Sequence, residues 1–286
     1  MEHRQHAWYT RTIMYLAVDI GGTKTLVASL TNEGVIQERI RFLTPKNYPD
    51  FIQLLEETVA QLTTKDFVGC CVAVPGKVDR DHGIGIAMGN LPWRNIPIVS
   101  DVSKFVSCPV VVENDANLAG LSESMLVKDR YNRVLYVTIS TGIGTGIIND
   151  HVIDPDFADS EGGQVMVEHG GKLETWEDLI SGRSIVKRFG KRAQDITDDK
   201  TWKHISHDIA LGLIDLITII QPQIIVLGGG VDTYFDRFSD FLIAALKRYE
   251  TPLVVIPPIV AAKRPEDAVL YGCYDLAKAR HGKTHR

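Results

Sequence analysis

Apolar and polar positions along this chain repeat mostly with the strand period, and helical spacing comes in between. Met14–Asp19 is an apolar run of strand length, Ile20-Gly21-Gly22-Thr23-Lys24 a tight turn, and Thr25–Leu30 a second strand. Asn32-Glu33-Gly34 then turns the chain into Val35–Ile40, so the first forty residues predict the start of a β-meander. Between 50 and 62, Phe51, Leu54, Leu55, Thr58, Val59 and Leu62 fall on one helical face. Phe67–Val74 is another apolar strand, stopped by Pro75-Gly76. Asp79–Trp93 is rich in Gly, Asp and Asn and predicts a long loop, a feature that usually carries function inside a compact domain. Ser100–Ser107 reads as a short helix.

Val110–Val112 is a buried strand that ends in Glu113-Asn114-Asp115, where an Ala/Leu-rich helix over 116–129 begins. A carboxylate and a carboxamide thus fall at the C-terminal lip of a strand, which is where open α/β sheets bind ligands. Asp115 has the chemistry to accept a proton or a hydroxyl hydrogen bond, and Asn114 both donates and accepts. A helix cap is the structural alternative for either residue.

The pattern then restarts. Val134–Ile139 is a strand, Ser140–Gly146 a Gly/Thr loop, and Ile147-Ile148 a continuing strand that turns at Asn149-Asp150-His151. Strand–Gly loop–strand therefore occurs twice, at 14–30 and 134–153, as an internal duplication of a nucleotide-binding unit would produce. Trp176–Phe189 and Trp202–Ile220 predict helices. The second is apolar around much of its circumference and is closed by Pro222. Gln223–Leu227 is a strand opening into Gly228-Gly229-Gly230, Tyr234–Arg248 an amphipathic helix, Leu253–Ile256 a strand, and 266–280 a last helix.

Composition narrows the classes. With 44% hydrophobic and 23% charged residues over 286 positions, the chain has enough apolar material for one large or two smaller folded domains. A net charge of −5 with dispersed basic residues points to neither nucleic acid nor an anionic membrane. Only Lys278–Arg286 is locally basic, as a solvated terminus is. No apolar run reaches the roughly 20 residues of a membrane span, and residues 1–12 lack the apolar segment of a signal peptide. Cys70, Cys71, Cys108 and Cys273 have no zinc spacing and read as core thiols of a reduced, cytoplasmic protein.

The first Gly loop, Asp19–Thr25, precedes a strand, so it is neither a Walker loop nor a dinucleotide fingerprint, both of which open a helix. Gly21 and Gly22 let backbone N–H groups approach an anion, Thr23 adds a hydroxyl and Lys24 a charge, and Asp19 suits Mg2+ held through water. In the second loop Thr141, Gly142, Gly144 and Thr145 offer N–H and O–H donors to further phosphates. Gly229 and Gly230 would let backbone lie flat against an adenine or ribose.

These motifs in this order, with Val74-Pro75-Gly76…Asp79, Asn90-Leu91-x-Trp93 and Glu113-Asn114-Asp115-Ala116-Asn117 between the loops, resemble the ROK family (repressors, open reading frames, sugar kinases) of the actin-like ATPase superfamily. The resemblance runs from about residue 14 to the last helix. It implies an α/β, two-domain actin-like ATPase fold (a duplicated ribonuclease H-like unit) with a central interdomain cleft. A small domain would comprise 1–115 plus 268–286, and a larger one 116–267. The implied activity is ATP- and Mg2+-dependent phosphorylation of a hexose at its primary hydroxyl, as in glucokinases. Asp115 would be the general base, and Asn90, Asn114, Glu161 and Glu177 would hydrogen-bond the sugar. A homodimer is expected from the family.

The chain departs from the family where Gly-Glu-x-Gly-His is usual. Here the stretch is Ser160-Glu161-Gly162-Gly163-Gln164, and no cysteine follows through residue 176. Gln164 can hydrogen-bond a sugar but is a poor zinc ligand, so no zinc site is expected. Gln164 for His opens N-acetylmannosamine, mannose, fructose or allose beside glucose as substrate, and the cysteine-free segment is compatible with polyphosphate beside ATP as donor, although the family members that use it keep the histidine. The family's sugar-sensing repressors carry a helix-turn-helix ahead of this region. The dozen residues before the first strand here are too few for one.

Overall fold

A computed structural model describes residues 13–264 and 266–282; the expectations on residues 1–12 and 283–286 lie outside them. The chain forms two compact units. One holds the described residues up to Glu113 and from Cys273 onward; the other is Asn114–Gly272. Asp115 therefore groups with the second unit, and 268–272 do as well.

In the first unit, β1 (Met14–Ile20), β2 (Lys24–Thr31), β3 (Ile36–Leu43), β4 (Gly69–Val74) and β8 (Val110–Asn114) make one sheet in the order β3-β2-β1-β4-β8. β1 and β2, and β2 and β3, are antiparallel, whereas β1 and β4 are parallel. β4, Gly-Cys-Cys-Val-Ala-Val, is buried at every position, as an inner strand covered on both faces must be. β3 alternates half-buried and exposed residues, and its charged outer positions suit an edge. Helix α1 (Tyr48–Gln61) starts at Asn47, whose side chain accepts from Asp50 N, and buries Phe51, Leu55, Thr58 and Val59.

The stretch 79–93 is not one long loop. β5 (Lys77–Asp79), β6 (Ile84–Ala87) and β7 (Arg94–Ile96) pair into a small antiparallel sheet followed by the short helix α2 (Ile98–Val102). Glycines at 83, 85 and 89 mask the alternation that would have marked β6.

The second unit repeats the plan. β9 (Arg133–Ile139), β10 (Ile143–Asn149), β11 (Val152–Ile153), β14 (Ile224–Gly228) and β15 (Ile259–Ala261) lie in the order β11-β10-β9-β14-β15. β11–β10 and β10–β9 are antiparallel and β9–β14 parallel, as at the matching places of the first sheet, and β14–β15 is parallel. Helix α3 (Asp115–Met125) packs on this sheet through an almost wholly buried surface. A hairpin of β12 (Met166–His169) and β13 (Lys172–Thr175), which the pattern did not signal, precedes α4 (Trp176–Ile180) and α5 (Gly182–Phe189). The predicted single helix over 176–189 is thus two. Ser181 is extended between them, and its hydroxyl caps α5. Helix α6 (Asp199–Ile220) stacks Trp202 on Phe238 of α7 (Phe235–Leu246), with ring centroids 5.6 Å apart. Residues 253–256 are not a strand. Leu253 and Val255 are exposed, and after Pro257-Pro258 the sheet takes up 259–261 instead. Helix α8 (Ala268–His281) begins in the second unit and ends in the first.

Candidate active site

β8 of the first sheet hands over to α3 at Asn114, the first residue of the second unit. Its Oδ1 accepts from Ala116 N at 2.9 Å and Asn117 N at 3.1 Å, so Asn114 is the helix cap. Asp115, the first helical residue, accepts from Ala116 N at 2.8 Å and is half-buried. Burial pushes its carboxyl up from 3.8 to about 6; the Ala116 amide opposes this, and the Glu161 charge adds to it. The fold thus brings Asp115 and Glu161 into electrostatic contact. Glu161 and Gln164 bound a short turn, Gly162–Gln164, and both expose their side chains. Asn117, one turn into α3 and buried, donates to Ala158 O at 2.8 Å and fastens the chain just before Glu161.

The second loop is shorter than predicted. Its turn is Ser140–Gly142, closed by Ser140 N donating to Gly142 O at 2.8 Å. Gly144 and Thr145 lie inside β10 rather than in the loop, and the Thr145 hydroxyl is buried. Both therefore sit in the strand rather than in the loop expected to hold them. Thr141 is exposed and Gly142 half-buried, as donors to a ligand need to be. Glu177 meets this loop: its Oε2 accepts from Ile143 N at 2.8 Å. Two further bonds hold the loop from the α4–α5 junction. Gly182 N donates to Ser140 O at 2.6 Å, and Arg183 Nε to Thr141 O at 2.7 Å. Sequence reasoning missed Arg183, because only the fold places α5 against the loop.

Gly229 adopts φ +90°, and a Cβ there would lie 2.6 Å from Ile139 O, so this position requires glycine. Val231 N donates to Ile139 O at 3.1 Å and draws the third Gly loop beside the second. Ser140, Thr141, Arg183, Gly230 and Tyr234 line a cavity of about 480 Å3 there, a volume suited to a nucleoside-sized ligand.

In the first unit, the Asp19–Lys24 turn is held from behind. Gly21 N donates to Lys24 O at 3.0 Å, and Thr44 Oγ1 to Gly21 O at 2.8 Å. Lys46 Nζ donates to Gly22 O at 2.8 Å, a cation at this loop that the sequence motif did not include. Gly22 is half-buried, and Thr23 and Lys24 are exposed. Asn90 flanks Gly22 closely: a Cβ on that glycine would lie 3.1 Å from the Asn90 Cβ. Asp19 is half-buried near the end of β1. Arg80 grips Glu113 through two bonds, Nε to Oε2 at 2.7 Å and a terminal nitrogen to Oε1 at 2.6 Å.

Among the described residues no three His, Cys, Asp or Glu side chains gather as a metal cluster. His169, the histidine nearest Gln164 in sequence, lies 3.4 Å from the Glu174 carboxylate.

A mixed, duplicated sheet with Gly turns at matching strand ends, joined to a half-buried aspartate that opens the helix after a strand, defines an actin-like ATPase class of architecture. Residues 15–280 match the ROK family model, and the chain belongs to the ROK family, among that family's sugar kinases. A glucokinase of Streptomyces coelicolor is 27% identical, over 92% of this chain and 97% of its own. A fructokinase of Streptococcus mutans is 27% identical, over 76% and 80%. The crystal structure of a ROK family glucokinase from Streptomyces griseus, in complex with glucose and AMPPNP, superposes with a TM-score of 0.78 at 24% identity, over 93% and 99%. The fold is thus the two-domain actin-like one.

Proposed function

We propose that this protein transfers the γ-phosphoryl group of ATP to the primary hydroxyl of a hexose, with Asp115 as general base. The observation that carries this reading is a half-buried strand-end carboxylate with a pKa of about 6. It is ionised at neutral pH yet basic enough to take a hydroxyl proton as the oxygen attacks phosphorus. Phosphoryl transfer otherwise depends on positioning and charge stabilisation. The 480 Å3 cavity beside the Ser140–Gly142 turn and Gly229-Gly230 suits the adenosine end of the nucleotide. The N–H and O–H groups of exposed Thr141 and the N–H of half-buried Gly142 are donors for its phosphates, as are Gly22, Thr23 and Lys24 of the first loop, whose turn Gly21 closes by donating to Lys24 O.

For the sugar we assign Asn90, Asn114, Glu161, Gln164 and Glu177. The Asn114 oxygen serves the α3 cap, which fixes the carboxamide at the start of the helix beside Asp115. Glu177 engages Ile143 N through Oε2, and its Oε1, 3.7 Å from a terminal nitrogen of Arg183, is the atom we assign to a sugar contact. A hydroxyl-deficient analogue would strand such groups and bind poorly. A single carboxylate near a strand end suits Mg2+, which keeps most of its waters and arrives with the phosphates. Asp19 would hold it, and the ion would neutralise charge on the transferring group. The reading carries no structural zinc, because Gln164 stands where the family's histidine does and no cysteine follows through residue 176. Four buried free thiols suit a reducing cytoplasm, and no described helix is long and apolar enough to cross a membrane.

Gln164, exposed next to Glu161, supports a hexose other than glucose as the second reading. A coupled ADP-release assay over glucose, mannose, fructose, allose and N-acetylmannosamine, with Asp115→Asn as control, tests both readings. One sugar should turn over and lose its turnover in the variant while still raising the melting temperature. If no hexose turns over with ATP or with polyphosphate, the kinase reading is wrong. Light scattering tests the homodimer expected of the family.

A further inference from the structure

The face of β10 turned to the core carries Ile143, Thr145 and Ile147, each at most 7% exposed. Two of the three are isoleucine, and valine would match the shape of the third. A buried hydroxyl in such a row has to be matched by a hydrogen bond. Thr145 Oγ1 accepts from Gly162 N at 3.1 Å. The turn it holds lies flat on the strand. A Cβ on Gly162 would sit 2.5 Å from Thr145 Cγ2, and one on Gly163 would sit 2.4 Å from Ile143 O. Gly162 directly follows Glu161, and on the other side Ala158 is fastened by Asn117. The segment that presents Glu161 toward Asp115 is therefore pinned on both sides of that carboxylate.

We propose that Thr145, through its hydroxyl, is a positioning residue for sugar binding: it sets the place of Glu161 and does not act on the nucleotide, although it follows the phosphate loop in sequence. This rests on the hexose-kinase reading given above. Removing the hydroxyl while keeping the shape leaves the Gly162 N–H buried without an acceptor. The turn then shifts off the strand, and Glu161 moves with it.

Thr145→Val is the test, with Thr145→Ser as the conservative control. The valine variant should show KM for the hexose raised on the order of tenfold, the scale of one stranded buried donor. KM for ATP and kcat should stay within about twofold, since an interaction shared by ground and transition states moves only KM. Serine should restore the sugar KM. A purely structural role would instead move both KM values and kcat together, and that result overturns the proposal, as does an unchanged sugar KM. Hydrogen exchange of the 161–165 peptide supplies a readout that does not depend on turnover. It should quicken in the valine variant and not in the serine variant, and equal exchange in both overturns the tether. If wild type phosphorylates no hexose, the kinase reading fails, and with it the sugar-positioning role, while the exchange result still decides whether the tether exists.

Discussion

A carboxyl with a pKa of about 6 is roughly nine-tenths ionised at pH 7 and one-tenth ionised at pH 5. If Asp115 must be ionised to accept the sugar proton, kcat/KM rises about tenfold between those values and levels off above pH 7. Glu161→Gln, by removing the second carboxylate, moves that acid limb to lower pH. The move is smaller than the whole shift, because burial is its larger cause. The same shift has a cost in stability. The folded state holds the Asp115 proton more tightly than the unfolded chain, whose carboxyl titrates near 3.8. Folding is therefore progressively penalised as pH rises from about 4 through 6, and the penalty is constant above that. Two units correspond to about 3 kcal/mol, and partial hydration of a half-buried group reduces this to about 1–3 kcal/mol. Asp115→Asn keeps an oxygen for the Ala116 amide and carries no charge. At pH 8 it should unfold several degrees above wild type while kcat falls on the order of 10²–10⁴-fold. Rate profiles from pH 4.5 to 8.5 and paired melting curves at pH 4 and 8 measure both. A flat rate profile, or an Asn variant no more stable at pH 8 than at pH 4 relative to wild type, refutes the reasoning.

Gly229→Ala forces an alanine to φ +90° against the Ile139 carbonyl. It should cost about 2 kcal/mol or more and weaken nucleotide binding, as melting curves and calorimetry with AMPPNP would register. Glu113→Gln breaks the two-bonded pair with Arg80 and should lower stability by about 1–3 kcal/mol in urea titrations, the Arg80 side being partly solvated. Dialysis against a chelator should leave the melting temperature unchanged, with turnover returning on Mg2+ alone. Stoichiometric zinc by elemental analysis would count against this.

Strands built from contiguous apolar residues, such as β1, β4 and β14, are legible because burial on both faces leaves an unbroken hydrophobic run. Legibility fails where glycine interrupts the alternation. β6 is hidden inside a Gly-rich stretch, and Gly144 and Gly146 make the first half of β10 look like loop. It fails again at 253–256, where a β-prone run pairs only through the single Thr251–Val254 bridge and joins neither sheet. In the site, Asn114 and Asp115 stand out because a polar pair closes an apolar strand. The Thr145–Gly162 bond spans 17 residues and the Arg183–Thr141 bond 42. Contacts of that kind depend on which elements the fold sets side by side, and no local pattern announces them.

The ending of α8 in the first unit bears on how the protein is made. Cys273 lies 3.9 Å from Val18 O, across 255 residues of sequence. Tyr274 meets the Tyr15 ring edge-on at 5.4 Å and donates to Asn32 O at 2.6 Å. On the ribosome, β1 to β4 emerge long before the helix that covers them. The unit made first must wait for the chain's far end, with its apolar sheet surface open to chaperones, while the continuous stretch Asn114–Gly272 is free to fold as soon as it is out.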